Sequence, residues 1–294
     1  MLNAKELIRK VRRIQIRTSR ITSEALSGNY HSAFRGRGIE FEKVRPYIVG
    51  DDIRAIDWNV SARVGSPHIK IFREERELSV MLAVDLSASQ DFGTRGSLKR
   101  ELVAEIAATI AFSAIRNGDK VGLLAFTDRV ERIVPPRKGT RHVLRIVREL
   151  LGLEVRGKGT RIAAALDEAL RIARQRSVLF IISDFQDTGW ERSMAIARRR
   201  HDCIPVVVGD RGEESLPRVG LIELEDPETG ERLTVDTSDR GVRARFASLA
   251  ADDRLRLQQS FRRLKIDAVE VETGGDFVRP LTEMFRRRES RRAR

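Results

Sequence analysis

Two apolar runs constrain what this chain can fold into more than anything else in it. Val80-Met81-Leu82-Ala83-Val84 ends at Asp85, and Val178-Leu179-Phe180-Ile181-Ile182 ends at Ser183-Asp184. Each run is apolar on both sides of a pleat, which marks a central parallel strand covered by helices on both faces. Ligands of such sheets collect just beyond the carboxyl ends of the strands, so both runs deliver an acid to the edge where function resides. After the first run, Asp85-Leu86-Ser87-Ala88-Ser89 places one carboxylate and two hydroxyls at alternate positions. All three are hard oxygen donors of the kind that magnesium, manganese or calcium prefers. The same pentapeptide also suits a plain turn in which the serines cap the next helix.

The rest of the chain alternates around these runs. Helical patterns at 98–115, 140–151, 162–170, 190–200 and 242–263 interleave with strand patterns at 120–126, 203–208 and 266–271. That order predicts right-handed crossovers and a doubly wound, mostly parallel α/β sheet. Residues 130–134, ahead of Pro135-Pro136, suit an edge strand, and 221–224 with 233–236 suit a small hairpin insertion around Asp226-Pro227-Glu228-Thr229-Gly230. A last helix is expected at 279–288.

Ahead of the core, residues 4–21 space Leu7, Val11 and Ile14, with Ile8 beside them, as a basic amphipathic helix. Its stripe either packs on the protein or lies on anionic lipid. A glycine-rich loop from Gly28 leads to a strand pattern at 39–44, and 67–72 reads as a further strand leading toward the central one. Between them Asp51, Asp52 and Asp57 lie close to Arg45, Arg54 and Arg63. This is either an Arg/Asp network that holds a turn or the acid cluster of a metal-dependent phosphoesterase. The expected divisions are 1–77 for the basic helix and N-terminal β-containing extension, 78–210 for the core and 211–241 for the hairpin insertion. Residues 242–294 supply a helix-strand-helix that completes the sheet, with a basic tail.

Charge and cysteine usage narrow the class. The 294 residues carry 56 Lys and Arg against 43 Asp and Glu, a net charge of +13, so the chain is rich in both signs and not a simple polycation. This disfavours a nucleic-acid partner; the arginines at 171, 174, 176 and 198–200 suit solvated helix faces, and Arg286-Arg287-Arg288 with Arg291, Arg292 and Arg294 suits a solvated or disordered end. Cys203 has no second cysteine to pair with. No apolar stretch approaches the roughly 20 residues that span a bilayer. Lys5, Arg9, Lys10, Arg12 and Arg13 interrupt any signal core, so a soluble, cytoplasmic protein is expected.

Asp85, Ser87 and Ser89 on one loop, Thr160 after the glycine turn Arg156-Gly157-Lys158-Gly159, and Asp184 after a later strand resemble the metal-ion-dependent adhesion site of the von Willebrand factor A fold. The resemblance implies that Ser87 and Ser89 bind the ion directly and Thr160 directly or through water. Asp85 and Asp184 act largely through water, and a partner protein donates a carboxylate to the open position. Mg2+ is the implied ion, with Mn2+ or Ca2+ as alternatives. The segment Gly36-Arg37-Gly38, Phe41, Arg45-Pro46-Tyr47, Gly50-Asp51-Asp52, Arg54, Ile56-Asp57-Trp58 and Ala62-Arg63 is similar to the signature of the domain-of-unknown-function family 58. Members commonly occur beside MoxR-type AAA+ ATPases, which implies an adaptor in assembly or maturation of client proteins. Many carry membrane segments ahead of the signature, and none is expected here.

Familiar catalytic devices are missing from the sequence. A haloacid-type phosphatase needs a second acid two residues after the first, where this chain has Ser87. There is no Gly-x-Ser-x-Gly elbow, and Gly157-Lys158-Gly159-Thr160 lacks the order of a phosphate-binding P-loop. His31, His68, His142 and His201 show no paired ligand spacing. The expectation is therefore a binding protein and not an enzyme.

Overall fold

The computed structural model describes residues 4–22, 30, 32–34, 38–75, 77–93, 98–228 and 230–292. Two compact units result, one of Phe34–Leu78 and one of Met1–Ala33 with Ser79–Arg294. In chain order, α1 (Ala4–Ile21) precedes the smaller unit's β1 (Gly38–Pro46), α2 (Trp58–Val64) and β2 (His68–Glu75). The larger unit continues with β3 (Ser79–Asp85), α3 (Lys99–Arg116), β4 (Lys120–Phe126), β5 (Val130–Arg137), α4 (Thr140–Gly152) and α5 (Ile162–Ile172). Next come β6 (Val178–Ser183), α6 (Glu191–Arg200), β7 (Asp202–Gly209), a single turn α7 (Arg211–Glu214), β8 (Leu221–Glu225), β9 (Arg232–Asp236), α8 (Arg240–Arg263), β10 (Val269–Glu272) and α9 (Val278–Arg292).

The main sheet has the order β10-β7-β6-β3-β4-β5. All its pairings are parallel except the edge strand β5, which runs antiparallel to β4. Counted from β3 as the sheet's own first strand, this is the order 3-2-1-4-5-6 of a doubly wound α/β fold. The direction of winding reverses between β3 and β6, so the two acid-bearing strands are neighbours, with Val84 paired to Ile182. That register brings Asp85 beside Ser183.

Packing explains why the sheet forms. Every residue of β6, and Val80 to Asp85 of β3, is buried. Helix α3 is buried almost all round because Ala104, Ala107, Ala108, Ala111 and Ala114 let neighbours approach closely. It is covered by α4 and by α1. Leu7 of α1 sits so near Gly152 that a Cβ there would come within 3.0 Å of it, and Lys10 and Arg17 pair with Glu101 and Glu105 of α3. The apolar stripe of α1 therefore packs on the protein, as the first of its two expected roles requires; Ile14 is buried, while Ile8 faces solvent. On the opposite face, Ile162 and Leu166 of α5, Met194 of α6 and Phe261 of α8 close over Leu179 and Ile181.

Three local expectations change. Strand β10 begins at Val269, because Lys265 adopts a left-handed φ of 51° and Ile266 packs into the core ahead of the strand. The last helix runs past 288: α9 continues to Arg292 and buries Leu281, Met284 and Phe285, while Arg286, Arg287 and Arg291 stay exposed as the solvated reading of this end expects, Arg288 pairing with Asp202 and Arg291 with Asp267. Strand β2 pairs antiparallel with β1 in a sheet of their own. Gly36 and Arg37 of the family signature lie outside the described residues. Among the described residues no helix is long and apolar enough to cross a membrane.

Candidate metal centre at the strand ends

Asp85 is fully buried at the tip of β3, and both its oxygens are engaged. The Ser87 amide donates to Oδ1 at 2.9 Å, and the Ser183 hydroxyl donates to Oδ2 at 2.6 Å. Ser183 also accepts from the Phe185 amide at 3.0 Å, so one hydroxyl links the two strand-end turns. The Ser87 and Ser89 hydroxyl oxygens stand 3.0 Å apart. Next in the turn, Gln90 is fully buried with neither amide atom partnered among the described residues.

The glycine turn is tied to this loop by the Ala88 amide, which donates to the Lys158 carbonyl at 2.9 Å. A Cβ at Gly157 would fall 2.0 Å from Asp128 Oδ1 and 2.2 Å from Thr127 Oγ1, so any other residue there has to displace both side chains. Thr160, beyond it, donates its hydroxyl to Oε1 of Glu228 at 3.0 Å. Asp184 is positioned by an unusual turn: Phe185 has φ of 59°, a costly conformation for a bulky side chain. Its ring is clamped edge-on by Trp190 and Phe261 at 5.3 and 5.2 Å. Asp184 accepts from the Gln186 amide on one oxygen and, at 3.0 Å, from the Lys99 ammonium on the other.

Lys99 opens α3 and is completely buried, paired with Asp184 and with Glu213 of α7. Burial disfavours its charge, but the attraction of the two carboxylates outweighs that and raises its pKa. Glu213 is pushed up by burial, with Lys99 opposing. Burial and then the Asp184 charge push Asp85 up to about 7, against the hydrogen bonds from Ser183 and Ser87. Glu228 is likewise raised by burial first, with the Thr160 bond opposing and Asp184 adding to the rise. Asp85, Glu213 and Glu228 thus each feel the charge of Asp184, and the Lys99 ammonium is inserted between Asp184 and Glu213.

The five residues expected to hold a metal occupy neighbouring loops of one sheet edge, and their chemistry fits a small hard cation. Two hydroxyl oxygens about 3.0 Å apart have the spacing of adjacent corners in an octahedron of roughly 2.1 Å bonds. Among the described residues no cationic side chain pairs with Asp85. Among the described residues no three His, Cys, Asp or Glu side chains gather to hold a metal, so a site here depends on Ser87, Ser89 and Thr160. Sequence reasoning missed Lys99, Ser183, Glu213 and Glu228. Only Ser183 carried a signal, since it stands beside Asp184 at the end of the second run.

The acids of the smaller unit do separate local work. Arg45 forks onto Asp51 with two 2.7 Å bonds, and Asp51 also accepts from the Ile48 amide. Asp52 caps a short turn through the Arg54 amide, and Asp57 caps α2 through the amides of Asn59 and Val60. The cation near Asp57 is Lys70, at 3.6 Å, and not an arginine. Arg54, Arg63 and Trp58 face solvent. Among the described residues, only the Arg45 fork of the expected Arg/Asp network forms, because backbone amides take the other two carboxylates.

Residues 43–256 match the family described as "Protein of unknown function DUF58". The chain belongs to this family. It is 31% identical over 276 residues to the uncharacterized protein Rv1480 of Mycobacterium tuberculosis, covering 93% of this chain and 87% of that protein. It is 33% identical over 102 residues to an uncharacterized protein in the moxR 3′ region of Paracoccus denitrificans, covering 34% of this chain and 96% of that one. Among solved structures it is similar to BatB from Bacteroides thetaiotaomicron, with a TM-score of 0.48 at 16% identity over 72% of this chain and 99% of that one. It is also similar to a von Willebrand factor type A protein from Catenulispora acidiphila, with a TM-score of 0.41 at 15% identity over 75% of this chain and 44% of that one. The larger unit has the von Willebrand factor A-like fold by its own strand order and antiparallel edge strand.

Proposed function

We propose that this member of the family is a cytoplasmic, metal-dependent protein-interaction module that works as an adaptor with a MoxR-type AAA+ ATPase in assembly or maturation of client proteins. The observation that supports the reading is Asp85, a buried carboxylate with no cationic partner among the described residues, beside the Ser87 and Ser89 hydroxyls, which hydrogen-bond to each other at 3.0 Å, a distance also compatible with two corners of one octahedral ion. Ser87, Ser89 and Thr160 would hold a divalent ion, Mg2+ by preference, with Asp85 and Asp184 orienting its water. The bound ion would supply an open, Lewis-acidic position for a carboxylate oxygen of a partner protein. Ser183 and Lys99 keep the two acids placed for that task. The chain on this reading binds and does not turn over substrate. The ATPase assignment is supported by the family relative named for its place beside moxR.

The test is capture from cell extract by the immobilised full chain, in millimolar Mg2+ and in chelator, with Ser87→Ala in parallel. An AAA+ ATPase recovered by wild type in Mg2+ alone, and lost in the variant, is the expected result. The same catch with and without chelator would remove the metal from the interaction. A divalent-dependent phosphoesterase activity abolished by Asp51→Asn or Asp57→Asn but kept in Ser87→Ala would replace the adaptor reading with an enzyme.

A further inference from the structure

One carboxylate at the strand-end site comes from the β8–β9 hairpin. Strands β8 and β9 pair antiparallel from Leu221↔Asp236 to Glu225↔Arg232, so the chain reverses between them. The reversal is closed by hydrogen bonds from the Asp226 amide to the Glu231 carbonyl and from the Gly230 amide to the Asp226 carbonyl. Asp226 accepts from the Glu228 amide at 2.8 Å, which fixes the backbone at Glu228. From there the side chain turns inward: Oε1 accepts from Thr160, and Oε2 lies 3.3 Å from the place a Cβ on Gly159 would occupy. Asp226 and Pro227 are exposed, while Glu228 is half-buried.

A glutamate at the tip of an exposed hairpin has no reason of its own to give up water for a half-buried place against Thr160, since desolvating a carboxylate is costly. The hydroxyl and the backbone amide of Thr160 both offset part of that cost, but neither supplies a counter-charge. The hairpin does not force it there either, because both strands are largely solvent-exposed, with Leu221 73% and Leu233 65% exposed, and an isolated two-stranded hairpin is marginal by itself. What would make the placement favourable is a cation shared with Ser87, Ser89 and Thr160.

We infer that Glu228 is an internal carboxylate ligand of the metal site, seated where an acidic side chain of a partner would bind, so that a partner gains the site by displacing the β8–β9 tip. This rests on the metal-dependent reading above. The partner segment it implies is a carboxylate presented on a turn, in competition with a tethered one whose effective concentration is on the order of millimolar.

The experiment uses the full-length protein with Mn2+ as probe, comparing wild type, Glu228→Gln and Glu225→Gln. Glu225 lies in the same hairpin but pairs with Arg232, so its variant reports general damage to the hairpin. Calorimetric titration is expected to show about tenfold weaker Mn2+ binding in Glu228→Gln alone. Hydrogen exchange at 221–236 is expected to slow on adding Mn2+ to wild type and Glu225→Gln, and to ignore it in Glu228→Gln. Unchanged or tighter Mn2+ binding in Glu228→Gln, with hairpin exchange indifferent to metal in wild type, overturns the role of Glu228 and leaves the metal site standing. Wild type that binds no Mn2+ overturns both.

Discussion

The two groups of acids in this chain begin from the same residue type and end in opposite states. Asp51, Asp52 and Asp57 find donors within six residues or on the neighbouring strand, in a small hairpin unit open to water. Asp51 is held below the usual carboxylate range, first by the Arg45 fork; Asp57 is also lowered, its amide donors and Lys70 overcoming burial. Asp85, Asp184, Glu213 and Glu228 arrive from four separate parts of the chain and lose most of their water, and the Lys99 ammonium pairs with two of them, Asp184 and Glu213. What separates a structural acid cluster from a chemical one is therefore not the number of carboxylates. It is whether local donors satisfy them before tertiary structure brings them together.

The largest effect that would break this comparison is at Lys99. Lys99→Met leaves Asp184 and Glu213 buried without their counter-charge and should lower stability by about 3 to 5 kcal/mol in chelator. If a divalent ion can take over part of that charge, the variant should recover more on adding Mg2+ than wild type does. Wild type itself should gain about 2.7 kcal/mol once free metal is a hundredfold above its dissociation constant. Denaturant melts with and without chelator read both quantities. A variant as stable as wild type in chelator would mean that the carboxylates are not acting on one another.

A smaller effect concerns pH. In the metal-free fold Asp85 holds its proton to about 7, whereas the unfolded chain loses it near the ordinary value of about 4. The native state binds the extra proton between those values, so metal-free stability should fall as pH rises across that window. Asp85→Asn should flatten the fall, and saturating Mg2+ should do the same in wild type by favouring the ionised form. A wild-type profile that stays level or rises from pH 4 to 7 in chelator would show that Asp85 is compensated by groups other than a metal.

The smallest effect belongs to the other group. Asp57→Ala removes one helix cap and a partly exposed pairing with Lys70, so the loss should be that of a single cap, restored by Asp57→Ser. Metal response should be unchanged, and hydrogen exchange should quicken around α2 alone. Loss of the metal-dependent shift in Asp57→Ala would erase the distinction between the two groups.

Much of this was determined by the sequence itself. The continuous apolar runs into Asp85 and Asp184, the alternation of strand and helix patterns and the glycines before Thr160 fix which strands are central and which loops lie at their carboxyl ends. These are local properties, since pleat, helical period and turn chemistry act over a few residues. The partners of the site were decided only by tertiary structure. Ser183 meets Asp85 across 98 residues, Lys99 meets Asp184 across 85 and Glu213 across 114, and Glu228 meets Thr160 across 68. Nothing near Lys99 in the chain distinguishes it from a solvated residue at a helix start, nor Glu228 from an exposed turn acid. Sheet order and crossovers bring these distant charges together, and only burial at that shared edge makes their proximity costly.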